Sequence, residues 1–176
     1  INAAQKDVLV LKGVEAAIRE DGSLDLPDVA LAGLDFVLGA VVEQFALPAE
    51  QQTKRLLRAI DGKRFSILAH PQNRLFPQRG PIAFDLARVI AAAKARGCFL
   101  ELNARPERLD LSDTGCHAAK AAGVRVALGS DARAAAEFAH LRWGVLTARR
   151  GWLEKPDLLN TLGPAAVRAA LRKTLL

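Results

Sequence analysis

An α/β fold built from βα units is what this sequence predicts, on three observations. Short apolar runs alternate with segments of helical period. Glycines stand where helices hand over to strands. Polar and ionisable residues gather just beyond the apolar runs, as they do where parallel strands end. Repetition of helix, glycine and strand points to an α/β barrel or a doubly wound sheet.

The apolar runs are 8–11, 36–42, 65–69, 98–102 and 124–128. Each is rich in Val, Leu, Ile or Phe on both faces, which suits a parallel strand covered by helices. Helical patterns fill 49–60, 84–96 and 112–122. Pro48 precedes the first of these, and its fixed φ favours a helix start. Gly97 and Gly123 follow the second and third, where a C-cap glycine belongs. Beyond Gly129 the pattern is mostly helical, through 138–150, 155–161 and 165–175, with Pro164 opening the last. No linker or low-complexity stretch interrupts, so 1–176 reads as one domain.

A chain of 176 residues, 51% hydrophobic, can bury a sizeable core. No run approaches the ~20 apolar residues of a membrane span, so no membrane partner is expected, nor is a signal peptide. The chain opens on Ile1 and contains no methionine, from which an excised or processed segment of a larger protein is expected. The net charge of +6 suits a polyanionic partner without identifying one. Basic residues scatter in small groups at Lys54/Arg55/Arg58, Lys63/Arg64, Arg149/Arg150 and Arg172/Lys173, which plain solvated helix faces explain as well as anion contacts do. Cys98 and Cys116 have no CxxC spacing, which sets aside zinc fingers and disulfide scaffolds and suggests reduced thiols in the cytoplasm.

The strand ends carry the chemistry. Glu15 lies a little beyond the first apolar run, His70 closes the third, Asn103 follows the fourth and Asp131 the fifth. In a parallel sheet these converge on one face, and Glu, His and Asp are ligands for hard or borderline divalent metals. The second run, ending Ala40-Val41-Val42, supplies only Glu43 just beyond. Plainer readings stand beside these: His70 as a hydrogen-bonded residue, Asp131 as a helix cap, Glu15 as an ion-pair partner. Arg74, Arg79, Arg105 and Arg108 follow the strand ends on loops, where guanidinium forks suit phosphate or DNA and loop salt bridges fit equally. His117 and His140 read as surface or packing residues, and Trp143 and Trp152 as core anchors of the last helices. No aromatic platform for stacking single-stranded bases is evident.

Collinear motifs carry a resemblance. They are the helix segment Gln52-Thr53-Lys54-Arg55-Leu56-Leu57-Arg58-Ala59-Ile60, then Leu68-Ala69-His70-Pro71, and Glu101-Leu102-Asn103 with Pro106 and Arg108-Leu109-Asp110-Leu111. Gly129-Ser130-Asp131-Ala132, Gly144 with Ala148-Arg149-Arg150-Gly151-Trp152-Leu153, and Leu159-Asn160-Thr161 complete the series. Together they resemble the PHP (polymerase and histidinol phosphatase) domain of bacterial-type family X DNA polymerases. That resemblance implies a TIM-barrel-like distorted (β/α)7 barrel, here lacking its first strands. It implies a cluster of divalent metals, usually manganese or zinc, and 3′–5′ exonuclease or phosphoesterase activity. The parent would be a DNA polymerase in repair, its polymerase domain using magnesium and deoxynucleotides. A free-standing phosphoesterase resembling histidinol phosphatase is the alternative.

Carried over residue by residue, the resemblance makes Glu15, His70 and Asp131 the catalytic and metal-binding remnant. Ala17 stands where the family often has Asp, Val42 where it has a histidine, and Arg133 where another histidine is expected. The opening His-x-His motif would lie before Ile1. Arg133, a permanent cation, cannot ligate a metal, and is expected to pair with Asp131 or Glu15 in its place. The expected result is a weakened metal site in a segment acting as a structural or DNA-orienting module.

Overall fold

The computed structural model describes residue 2 and residues 8–175. Five strands form one parallel sheet in sequence order: β1 (Gly13–Ala17), β2 (Phe36–Ala40), β3 (Ile67–Leu68), β4 (Phe99–Asn103) and β5 (Val126–Gly129). Between them run α1 (Asp28–Leu31), α2 (Ala49–Asp61), α3 (Leu86–Arg96) and α4 (Asp113–Ala122). Strands that advance steadily in one direction have no point where the order reverses. That removes the doubly wound alternative, whose defining feature is such a reversal.

The pleat sorts each strand between two cores. Val14, Ala16, Val37, Leu68, Leu100, Leu102 and Val126 face α2, α3 and α4 in the larger core. Phe36, Leu38, Ile67, Phe99 and Ala127 face the other way. They meet Leu159, Val167 and Leu171, the last two on α6 (Pro164–Lys173). Asp85 and Ser112 cap α3 and α4 by accepting the amides of Arg88 and Gly115. Gly97 and Gly123 close the same helices at φ 81° and 70°, the left-handed region that glycine enters without steric cost.

The strand expected at 8–11 is not formed; β1 begins at Gly13 instead. A strand needs a partner, and the register pairs Gly13 with Phe36, leaving Val8 and Val10 exposed. Gly13 is favoured there because the Phe36 ring occupies the space a Cβ would fill. The helix expected over 138–150 divides into a 3-10 segment (Ala135–His140) and α5 (Leu141–Arg150), and 155–161 forms two 3-10 turns. Trp143 and Trp152 are not core anchors; they are 38% and 72% exposed. The buried positions of α5 are Gly144 and Ala148, whose small side chains bring the helix against Leu128 and Ala104 and leave its large residues outside. At the outer edge of β5, Asn160 accepts the Leu128 amide at 2.7 Å and donates to its carbonyl at 2.9 Å. The side chain so stands in for the missing neighbour strand. No described helix is long and apolar enough to cross a membrane.

Arg55 is the largest departure from a solvated basic face. It is 1% exposed. Its Nε donates to the carbonyls of Ile18 and Arg19 at 3.1 and 3.0 Å, and Nη1 to Glu43 at 3.0 Å. Gln52 donates to the Gln44 carbonyl, and Thr53 accepts the Asp85 amide. The polar helix motif therefore fastens the loops after β1 and β2 and the start of α3 to α2. Replacing Arg55 with Met should cost about 2–4 kcal/mol in denaturant unfolding, because three carbonyls, that of Ile18 buried and those of Arg19 and Glu43 partly so, lose their donor. Lys54→Met, at a side chain 59% exposed, should change stability by less than about 0.5 kcal/mol.

Candidate functional site at the strand ends

The parallel register brings the C-terminal strand ends to one edge, and the polar residues foreseen there converge in part. His70 follows β3 and is 4% exposed. Its Nε2 lies 3.9 Å from Glu15 Oε1 of β1. Its amide donates to Glu101 Oε2 at 2.8 Å, while Nδ1 is buried without a partner. His70 and Asp131 hold φ of 29° and 51°. Non-glycine residues keep such conformations only where the surroundings over-determine them.

Three acidic environments follow. Glu15 is held below the usual carboxylate range, first by the His70 imidazole that faces it and then by the charges of Arg108 and Arg133, against the opposing effect of burial. Glu101 is 8% exposed, and burial pushes it up to about 7, with the His70 charge and amide opposing. Asp110 is fully buried and also raised by burial, with the Gln72 amide on Oδ1 opposing and Oδ2 unpartnered. Sequence reasoning gave Glu101 and Asp110 no role. The signal was a glutamate inside the apolar run Cys98-Phe99-Leu100-Glu101-Leu102, where an ionisable group has no cheap place to go.

Asp131 is met by guanidinium rather than by His70. Arg108 Nε lies 3.7 Å and Arg105 Nη1 4.0 Å from its Oδ2. Arg108 Nε and Nη1 are otherwise buried with no hydrogen bond. The expected pairing of Arg133 with Asp131 or Glu15 does not form. Arg133 is exposed, makes no ion pair among the described residues, and only its amide is engaged, to Glu137 at 2.8 Å. Asp131 itself takes the left-handed region, and the Arg133 guanidinium stays outside pairing distance although its charge still acts on Glu15. Val42 is 46% exposed in the loop after β2.

Arg74 and Arg79 are spent on loop structure. Arg74 donates to the carbonyls of Arg108 and Leu109, clipping the loop after β3 to the loop after β4. Arg79 donates to Asn73 at 3.1 and 2.8 Å and stacks 3.5 Å over the Phe45 ring. Arg105 and Arg108 face the acidic cluster, Arg105 also pairing through Nε with Glu107 at 3.0 Å. Both thiols are raised by burial, Cys98 to about 11 and Cys116 to about 12, which suits packing rather than nucleophilic chemistry.

Among the described residues no group of three or more His, Cys, Asp or Glu side chains is placed to hold a metal ion. Glu15 and His70 approach each other, but the Asp131 carboxylate is turned to two arginines. The donors present thus do not fit a divalent metal cluster.

A parallel α/β domain with a histidine, buried carboxylates and arginines at its strand ends defines the class. No family model matches the chain. Over 173 residues, 98% of its length, it is 35% identical to the DNA polymerase/3′–5′ exonuclease PolX of Bacillus subtilis. It is 38% identical over 135 residues to a probable phosphatase of Caldanaerobacter subterraneus subsp. tengcongensis, covering 71% of this chain and 51% of that one. A probable phosphatase of Thermoanaerobacter sp. is 31% identical over 164 residues, covering 88% and 64%. The chain belongs to the PHP family, in the form carried by bacterial-type family X DNA polymerases. It spans 30% of the length of PolX and between half and two thirds of these two phosphatases.

Glu101 sets a pH dependence. Its ordinary value of 4.5 is raised to about 7 in the fold. The unfolded chain therefore loses this proton first, and stability should fall as pH rises from 4.5 to about 7, then level off. The span is about 3 kcal/mol. Glu101→Gln should flatten that slope when unfolding is followed above pH 5. An unchanged slope would remove Glu101 as its source.

Proposed function

We propose that this chain is the PHP portion of a DNA polymerase acting in repair synthesis, and that this portion braces the fold and orients DNA. Alignment along 98% of the chain with a protein named as DNA polymerase and 3′–5′ exonuclease carries the reading. Polymerase chemistry, with magnesium and deoxynucleotides, belongs to a part of the protein outside this chain. We read residues 1–176 as one domain and the sheet as the larger part of a distorted (β/α)7 barrel. Strands in sequence order, with α2, α3 and α4 packed in succession against one face, are the arrangement that such a barrel closes. A cytoplasmic location goes with this reading.

The segment's own chemistry is weaker on this account. Any phosphodiester hydrolysis here would run through Glu15, His70 and Asp131. With Asp131 matched by Arg105 and Arg108, we infer that exonuclease activity is impaired and that manganese or zinc is held weakly. The same guanidiniums suit phosphate oxygens, each fork offering paired donors at fixed spacing. A free-standing phosphoesterase is the second reading. The similarity to probable phosphatases is what supports it, but that similarity covers a smaller share of the chain than the alignment with PolX does, and the polymerase reading is preferred.

The DNA reading is tested on the full-length protein by salt-dependent binding. Arg105→Ala with Arg108→Ala should weaken DNA binding and reduce the slope of log K against log salt by about 1 for each phosphate left without its guanidinium. Arg74→Ala should instead loosen the two loops and lower stability, since its donors go to backbone carbonyls. Unchanged affinity and slope in the Arg105/Arg108 variant would reduce those residues to internal counter-charges.

A further inference from the structure

The loop after β3 presents an aromatic ring that the fold does not use. Phe76 is 52% exposed, on a tight turn closed by two reciprocal backbone bonds. Leu75 N donates to Arg79 O at 2.9 Å and Arg79 N to Leu75 O at 2.7 Å. The turn is anchored from both sides. Its Arg79 is held by Asn73 and stacked on Phe45. The Phe76 amide donates to the Glu107 carbonyl at 2.7 Å. The Arg74 guanidinium lies 6.0 Å from the Phe76 ring centroid while bound to the carbonyls of Arg108 and Leu109. A rigid backbone thus holds an apolar ring in water, against the residues that carry the Arg105 and Arg108 guanidiniums.

That juxtaposition has a chemical meaning. Single-stranded nucleic acid is held by aromatic faces that stack on unpaired bases, beside cations that track the phosphates. A duplex keeps its bases stacked on one another and offers no such face. A ring that served packing would be buried, and a merely exposed loop would not need anchoring at residues 73, 74, 75, 76 and 79 alike. We propose that Phe76 is the base-stacking platform of a single-stranded DNA site, with Arg105 and Arg108 holding the phosphates next to the stacked base. This rests on the DNA reading above and deepens it by naming the strand state recognised.

The test compares full-length protein and its Phe76→Ala variant on two probes of equal length: a short oligothymidylate and an abasic phosphodiester oligomer. Both carry the phosphates; only the first carries bases. Phe76→Ala should weaken oligothymidylate binding by about 5- to 100-fold, the range for loss of one stacked base, and leave abasic binding unchanged. Phe76→Trp should retain affinity and show fluorescence quenching on addition of oligothymidylate. Equal losses on both probes would mean that the ring only supports the loop, and no loss on either would mean that bases do not reach it; each overturns the stacking site. If the unsubstituted protein binds neither probe nor duplex DNA, the DNA reading itself fails. Binding of duplex but of neither single-stranded probe overturns the present inference alone.

Discussion

Glu101 stands on β4 where both faces of the strand are covered, so its carboxylate is largely cut off from bulk water and is satisfied mainly by its surroundings. One oxygen accepts the His70 amide. The other lies where a Cβ on residue 129 would sit, so that position is glycine. Directing the His70 amide at Glu101 goes with its positive φ, and the chain then turns so that Asn73 N donates to His70 O. Asn73 in turn donates its amide group to Val41 O and accepts from Arg79. The loops after β2, β3 and β4 are therefore one hydrogen-bonded unit hung on a single buried acid.

Charge balance at this edge follows from the same geometry. Glu15, Glu101 and Asp110 lie near His70, and behind the effect of burial the charges of Asp110 and Asp131 push Glu101 further up. In a metal-bearing site the cation would relieve that repulsion. Here Arg108 reaches Asp131 and acts on Glu15, with Arg105 beside it. Arg74 makes the arrangement stable by fixing the carbonyls of Arg108 and Leu109. Arginine is suited to this because its charge persists at any accessible pH and its fork meets two acceptors at once.

Much of the framework was legible in the sequence. Four of the five apolar runs coincide with strands, because a strand covered on both faces leaves a continuous apolar signature. The run at 8–11 has the same signature without a partner, and partners are not written in local composition. His70 and Asp131 were visible as punctuation at strand ends. Glu101 was hidden within an apolar run, and Arg55 within a helix whose basic residues resembled a solvated face. Arg133 was the expected counter-charge because it stands where the family's histidine is expected, two residues after Asp131. In the fold it is Arg108, 23 residues upstream of Asp131, that arrives through the loop after β4. Trp143 was misread because aromatics on amphipathic helices usually face inward, whereas α5 buries Gly144 and Ala148.

The central claim is that guanidinium charge from Arg105 and Arg108 stands at Asp131 where the family's metal would be. Metal content tests it most directly. Full-length protein would be loaded with manganese, desalted and measured by elemental analysis, beside an Asp131→Asn variant. The account predicts substoichiometric metal, unchanged by the substitution. A multinuclear cluster retained by the native protein and lost in Asp131→Asn would contradict it.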